Sequence, residues 1–395
     1  LGIDIAIASS SSLGVTPVCV PGIGIDFEDI PGSVTRIVEF SERNPVSAVV
    51  GIEDSSIELA SYAAKALGLR ANMPCAIANS RLKHRFRTIL ENQGYQTPGF
   101  QLLAKGERLN PEVISACRFP SVVKATGLSA SRGVIRVDDP QSLSSAIVRT
   151  RKILASEGPL ADPTLLIEDF IPGREYAIEG ILRNDQLHCL AIFDKPDQPD
   201  GPYFEETIYV APARIDDVTR QELLEVIGGV CRAIGLHHGP VHAECRVNEG
   251  GIWVIELAAR TIGGQCARLL EMALGVTLEE VVLTNAVGGK FKVPGSVSAV
   301  GVMMIPVPVA GVLRRVEGVR SARAVSGVEV ILIDAQPGQV LVPWPEGCPY
   351  PGFIFARGDS PEIVERALRA AHQRLDFVLA PRLPVQTSDI TNPVH

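Results

Sequence analysis

Two apolar runs separated by Glu249-Gly250-Gly251, in the stretch HAECRVNEGGIWVIELAAR at 242–260, leave few choices for how this chain folds. Val241–Val247 and Ile252–Leu257 read as the strands of a hairpin, apolar on both parities, as strands buried on both faces are. Two carboxylates, Glu244 and Glu256, lie within them. A three-residue loop with glycine in the left-handed position is a common hairpin connection. It would set Asn248 opposite Ile252 and Glu244 opposite Glu256 on one face. Like charges directly opposed destabilise a sheet, and buried charges need partners. A cation between the two carboxylates removes that cost, and two carboxylates with phosphate oxygens and water are a usual way to hold Mg²⁺. Arg260, at the strand end, could reach an anion, and Gly263-Gly264 allow close backbone approach. The competing reading is a solvated strand pair with outward Glu and Arg.

The rest of the chain alternates strands and helices. Ile3–Ala8 and Ala48–Ile52 read as strands and Ser56–Leu67 as a helix stopped by Gly68, a βαβ pattern that implies a parallel sheet. The opening LGIDIAIASS reads as a helix end and a strand, as though a first strand and helix precede it. Ser80–Asn92 is a basic helix carrying Lys83. From about Phe100 the chain is β-rich, then helical over Thr219–Ile234 and Leu278–Ala286. A third block begins with the strand VGVMMIPVP and ends in a helix with Ser360 as N-cap and Pro361 at its first position. The expected division is 1–78, 79–290 with a small lid at about 110–172, 291–380, and a loose tail at 381–395.

Composition narrows the function classes. The 395 residues carry a formal net charge of −8, so the chain lacks the basic surface of a general nucleic-acid binder. No apolar run reaches the ~18 residues of a membrane span, and no secretory signal segment is visible. The eight cysteines are scattered with no C-x-x-C pair, which suits free buried thiols in a reducing, cytoplasmic setting. A homodimer is the common assembly for such chains.

The common nucleotide and hydrolase signatures fail. Gly22-Ile23-Gly24 meets Phe27 where the third glycine of a dinucleotide fingerprint belongs. Gly288-Gly289-Lys290 has Thr284 and Phe291 where a phosphate loop needs Gly and Ser or Thr. His242-Ala243-Glu244 lacks the cysteine ligands of a zinc deaminase. Two other segments carry chemistry. SVVKATGLSASRGVIRV at 121–137 puts Lys124 on a strand before a turn of small residues, where backbone N–H groups and a point charge can meet phosphate. LLIEDFIPGREYAIEG at 165–180 ends an apolar strand in Glu168-Asp169 and resumes at Glu175 after Pro172-Gly173. It can present backbone groups to an adenine edge and a carboxylate to ribose. Ordinary turns between strands are the alternative in both.

These elements, in this order, with Lys83 and the Thr97-Pro98 turn before them, resemble the ATP-grasp superfamily over roughly residues 45–375. The loop at 194–215, the ending ELAAR-x-x-GG and the third block resemble its carboxylate–amine ligases, most closely the L-amino acid ligase subgroup. The resemblance implies an α/β ATP-grasp fold with α+β subdomains, a Rossmann-like N-terminal domain lacking its first strand and helix, and a small C-terminal α+β domain. It implies that Lys83 and Lys124 contact ATP phosphates, that Ser129, Ser131 and Gly133 belong to a phosphate lid, that Glu168 and the Asp169, Phe170 and Ile171 backbone hold adenine, and that Glu175 holds ribose. Glu244 and Glu256 would bind Mg²⁺, one ion or two, with Mn²⁺ as a substitute. Arg260, with Lys124, would stabilise the transferred phosphoryl group and an acyl-phosphate. Lys195, Tyr203, Glu205 and Glu206 would sit in a lid over the substrate, with His242, Gly263 and Gly264 beside it; His242 reads equally as a core histidine. Many members carry Glu-x-Asn-x-Arg, with Asn as a further metal ligand, where this chain has Ala258. The implied activity joins a small carboxylate, such as an amino acid, to an amine, with ADP and phosphate released. A carboxylase acting on bicarbonate and a non-catalytic ATP-binding protein are the alternatives.

Overall fold

The computed structural model describes residues 2–10, 20–107, 109–156, 164–292, 298–347 and 349–381. Cys19, Cys348 and the tail beyond residue 381 lie outside the described residues. Two antiparallel sheets face each other across a cleft. The smaller has four strands in the order Phe100–Leu103, Leu165–Asp169, Ser121–Ala125, Ile135–Val137. Helix Pro140–Ala155 covers it. Asp139 and Ser142 start that helix with a capping box, each side chain accepting from the other's backbone N–H. Leu103, Val123, Leu143, Ile147, Leu165 and Ile167 form the core of this lid.

The larger sheet has eight strands in the order Gly251–Ala258, Gly239–Asn248, Arg174–Arg183, Gln186–Asp194, Ile208–Ala211, Ala299–Met304, Gly352–Gly358, Val328–Ile333. Helix Asp217–Ile234 packs on one face, with Leu223, Ile227 and Val230 completely buried. Helices Cys266–Leu274 and Leu278–Ala286 belong to a second core on this sheet. Burial on both faces explains the unbroken apolar runs of the hairpin. The expected division at 290/291 falls inside this sheet, because Ala299–Met304 pairs with Ile208–Ala211. The third block extends the sheet with three strands and adds a separate three-stranded one, Val340–Leu341, Gly311–Glu317, Asp376–Ala380. The lid sheet begins at Phe100, earlier than expected.

The N-terminal expectations need correction. The first strand is Ile7–Ser10, paired in parallel with Gly22–Ile25. Ala48–Ile52 joins no ladder among the described residues. Apolar β-propensity makes a strand only where a neighbour completes the hydrogen bonds. The basic helix is two helices, Pro74–Arg81 and Lys83–Asn92, broken at Leu82, which is extended at φ −85°, ψ 98°. The break places Lys83 at a helix N-terminus. Cys231, Cys245 and Cys266 are buried free thiols as expected, but Cys75 is exposed. Among the described residues no helix is long and apolar enough to cross a membrane.

Candidate active site

A cleft of about 720 Å³ lies between the lid and the larger sheet. One wall is the hairpin. Glu244 stands opposite Glu256, but by a different route from a three-residue loop. Asn248 pairs with Gly251 across a two-residue turn, and the register then steps between Glu244 and Cys245, with Cys245 opposite Val254. Ile255 is the extra residue of a β-bulge, and it brings Glu256 back onto the face of Glu244.

The carboxylates here crowd around few cations. Lys195 Nζ lies 2.7 Å from Glu175 Oε1 and 2.8 Å from both Glu206 Oε1 and Glu244 Oε1. Arg246, directly across the ladder from Glu175, donates Nε to Glu175 Oε2 at 2.8 Å. Lys83 Nζ is 3.8 Å from Glu256 Oε2. Burial pushes Glu206 up to about 7 against the pull of Lys195. Glu244 and Glu256 face each other, and Lys83 approaches Glu256 no nearer than 3.8 Å, so the pair fits a divalent ion that draws its other ligands from phosphate and water. Among the described residues no group of three or more acidic, His or Cys side chains is arranged for a metal. Ala258 sits across from His242 in the ladder.

The opposite wall holds Lys124, whose Nζ is 2.6 Å from Glu168 Oε2. Burial alone would raise the pKa of Glu168; Arg87 and then Lys124 outweigh it and bring it to about 2. The Glu168 carboxylate, expected against adenine, therefore orients Lys124 instead. The backbone N–H groups of Asp169 and Phe170, also expected at the base, donate to Gly99 and Pro120 carbonyls at 2.9 Å. Phe170 still lines the cleft, with the guanidinium groups of Arg136 and Arg246 over its ring at 4.3 and 5.0 Å. Asp169 and Ile171 line it too, and the Ile171 carbonyl accepts from Arg246 at 2.8 Å. Glu175, expected at ribose, has both oxygens engaged by Lys195 and Arg246.

Ser129 and Ser131 line the cleft with Ala130 between them. Ala130 and Ser131 are left-handed, at φ 53° and 54°, a strain that persists only where the surroundings hold it. The third block does so. Trp344 Nε1 donates to the Ala130 carbonyl at 3.1 Å, and Arg132 Nε donates to the Glu346 carbonyl at 3.0 Å. Gly133 N–H donates to the Pro345 carbonyl at 3.1 Å, so Gly133 serves this latch and not a phosphate. Arg149 grips the Glu346 carboxylate through Nε at 2.6 Å and Nη2 at 2.9 Å, and it also reaches the Tyr203 hydroxyl. Both ends of the Arg149–Glu346 pair are partly solvated, so it is worth about 0.2–1 kcal/mol. Glu346→Ala is expected to weaken ADP binding by up to about fivefold with little change in melting temperature, read by calorimetric titration.

The expected substrate lid is only partly assembled. Lys195 is 2 % exposed and sits under the carboxylates. Tyr203 turns away, packing against the lid core and bridging to Ile135. Glu205 lies outside the nucleotide cleft, with burial pushing its carboxyl up to about 7 against a hydrogen bond from the Val307 backbone. Sequence order says nothing about which way a loop residue turns, so the placement of these side chains is decided by the fold. Gly263 is open, whereas a Cβ at Gly264, φ +61°, would come within 2.7 Å of Met304 Sδ. His242 lies between carboxylates, Nδ1 3.4 Å from Glu179 Oε2 and Nε2 3.7 Å from Glu244 Oε1. Burial would lower its pKa; Glu179 and then Glu244 raise it to about 9. Arg260 holds Asp54 with Nε and Nη2 at 2.7 and 2.9 Å, joining the N-terminal segment to the end of the hairpin.

Four participants escaped the sequence reading: Arg87, Arg246, Glu206 as a Lys195 partner, and the Trp344–Glu346 latch. Two had a legible signal. Arg246 shares a strand face with Glu244, and Arg87 shares a helix face with Lys83.

This cleft, with lysines on one wall and paired carboxylates on the other, is the site of an ATP-grasp fold. The ATP-grasp domain family matches residues 117–268, and the L-amino acid ligase C-terminal domain 2 matches residues 303–380. The crystal structure of L-amino acid ligase from Bacillus licheniformis superposes with a TM-score of 0.78 at 27 % identity, covering 96 % of this chain and 93 % of that one. N5-carboxyaminoimidazole ribonucleotide synthetase from Thermotoga maritima shares the fold, with a TM-score of 0.67 at 15 % identity over 96 % of this chain and 94 % of that one. Among curated relatives, alanine–anticapsin ligase of Bacillus amyloliquefaciens is 24 % identical over 65 % of this chain and 57 % of its own length. Dapdiamide A synthase of Enterobacter agglomerans is 24 % identical over 62 % and 57 %. The chain spans between 53 and 63 % of the length of the curated relatives it matches.

Proposed function

We propose that this chain is an ATP-dependent carboxylate–amine ligase that activates an amino acid or similar small carboxylate as an acyl-phosphate and releases ADP and phosphate. The observation that carries this reading is Glu244 opposite Glu256 beneath the lid, facing Lys124 and Lys83 across one cleft. Attack of a carboxylate oxygen on the γ-phosphate needs alignment and charge neutralisation more than covalent help. Lys83 and Lys124 would bind the phosphates, the latter oriented by Glu168. Glu244 and Glu256 would hold Mg²⁺, which supplies charge neutralisation at the transferring group. Lys195, held beneath the same carboxylates, would keep Glu175, Glu206 and Glu244 in place around the site. Arg260 would hold the acyl-phosphate until an amine attacks its carbonyl carbon, the new C–N bond forming as phosphate leaves. The Trp344–Glu346 latch would keep the lid shut and water away from the acyl-phosphate. With Ala258 in place of a third ligand, the reading is one protein-held Mg²⁺, with Mn²⁺ able to replace it.

The test is phosphate release from MgATP with pools of amino acids, small carboxylates and amines. Phosphate and ADP appearing only when both a carboxylate and an amine are present are the expected result. AMP and pyrophosphate, or a requirement for bicarbonate, would overturn it.

A further inference from the structure

We propose that Arg87 is a positioning residue that sets the separation of the two metal-binding carboxylates and ties it to the nucleotide lysine; the inference rests on the reading of Glu244 and Glu256 as metal ligands. Arg87 is completely buried. Its Nε donates to Glu168 Oε1 at 2.7 Å, Nη1 to the Val254 carbonyl at 3.1 Å and Nη2 to the Ile255 carbonyl at 2.6 Å. Val254 and Ile255 are where the hairpin register steps. Had the pairing of Cys245 with Val254 continued without the step, Glu256 would fall opposite Ala243 and point to the other face. The bulge keeps it opposite Glu244.

Gly251–Ala258 is the edge strand of its sheet, and a buried carbonyl without a donor is costly. At the register step Arg87, from the neighbouring helix, supplies donors to the Val254 and Ile255 carbonyls. The same guanidinium fixes Glu168, which holds Lys124. Helix, lid strand and hairpin thus meet at one planar fork, and Lys83 leads the same helix. Lysine cannot reproduce this, because one ammonium lacks the geometry to serve two adjacent carbonyls and a carboxylate together.

The test compares the unmodified chain with Arg87→Lys and with the double variant Arg87→Met/Glu168→Gln, which leaves no unpaired carboxylate at the centre. The probe is Mn²⁺ binding to the ADP complex, followed by electron paramagnetic resonance. Hydrogen exchange of the 254–257 amides in the apoprotein is the second readout. Both variants are expected to bind Mn²⁺ about 10–100-fold more weakly and to exchange faster across the bulge. Folded variants with wild-type Mn²⁺ affinity would overturn the inference alone. If neither variant folds, Glu168→Gln decides. Arg87 then still holds both carbonyls, so Mn²⁺ affinity should stay near that of the unmodified chain while ADP affinity and turnover fall through Lys124. A tenfold loss of Mn²⁺ affinity there would overturn the proposal. Failure of the unmodified chain to bind Mn²⁺ with ADP would overturn the site reading and this inference with it.

Discussion

Replacing Arg260 by Ala is expected to lower kcat by roughly 10²–10³-fold, the usual loss when one preorganised charge is removed from a developing anion. ADP binding should stay close to wild type, because Arg260 is not among the residues lining the nucleotide cleft. The fold should also survive. Arg260 contacts Asp54 across two segments, and the Asp54 side chain keeps 35 % of its exposure, so water can solvate it once the guanidinium is gone. Arg260→Lys should fail nearly as badly, since a single ammonium cannot hold Asp54 through two bonds and still present a donor to an acyl-phosphate. Asp54→Asn should show a smaller loss of kcat through a misdirected guanidinium. Phosphate-release kinetics and ADP calorimetry on the three variants separate these effects. Turnover of Arg260→Ala within tenfold of wild type would remove it from the mechanism.

Glu256→Gln should lose turnover by a comparable factor, for a different reason and with little effect on stability. The Glu256 side chain is 40 % exposed, and its ion-pair partner is Lys83 at 3.8 Å. A solvated, loosely paired carboxylate contributes within about 0.5 kcal/mol to folding. Its expected role is electrostatic, toward the metal and the phosphates. Chelation of divalent ions should therefore abolish activity, and the Mg²⁺ activation curve of Glu256→Gln should shift strongly to higher concentration at nearly unchanged melting temperature. Glu244→Gln should look different. It takes from the buried Lys195 one of three carboxylates and lowers the charge pressure that raises Glu206, so nucleotide binding and stability should change along with metal activation. Wild-type Mg²⁺ activation in Glu256→Gln would exclude that residue as a ligand.

The hairpin shows how far sequence reasoning carries and where it stops. Apolar residues on both parities identified strands buried on both faces, and the order of Lys83, Lys124, Glu168, Glu175, Glu244, Glu256 and Arg260 along the chain pointed to the superfamily. The opposition of Glu244 and Glu256 was legible as an outcome but not as a mechanism. A three-residue loop and a two-residue turn with a bulge at Ile255 produce the same facing pair, and the local sequence does not distinguish them. The carbonyls at the bulge meet a donor from another element, Arg87, a long way back in the chain. The break at Leu82 belongs to the same class, because the helical period runs through it without interruption.

Residue types and their order, read by periodicity and charge, determined the alternation of elements, the buried hairpin and the set of groups able to meet phosphate and a cation. Tertiary structure alone decided how those groups share their charges. Glu168 serves Lys124 and Arg87, Lys195 lies under three carboxylates, Tyr203 turns to the lid, and the third block latches the Ser129–Gly133 turn. Chain order ranks which groups are present, but a buried charge or carbonyl takes whichever partner the packed fold brings within about 3 Å, and for these residues that partner comes from a distant segment.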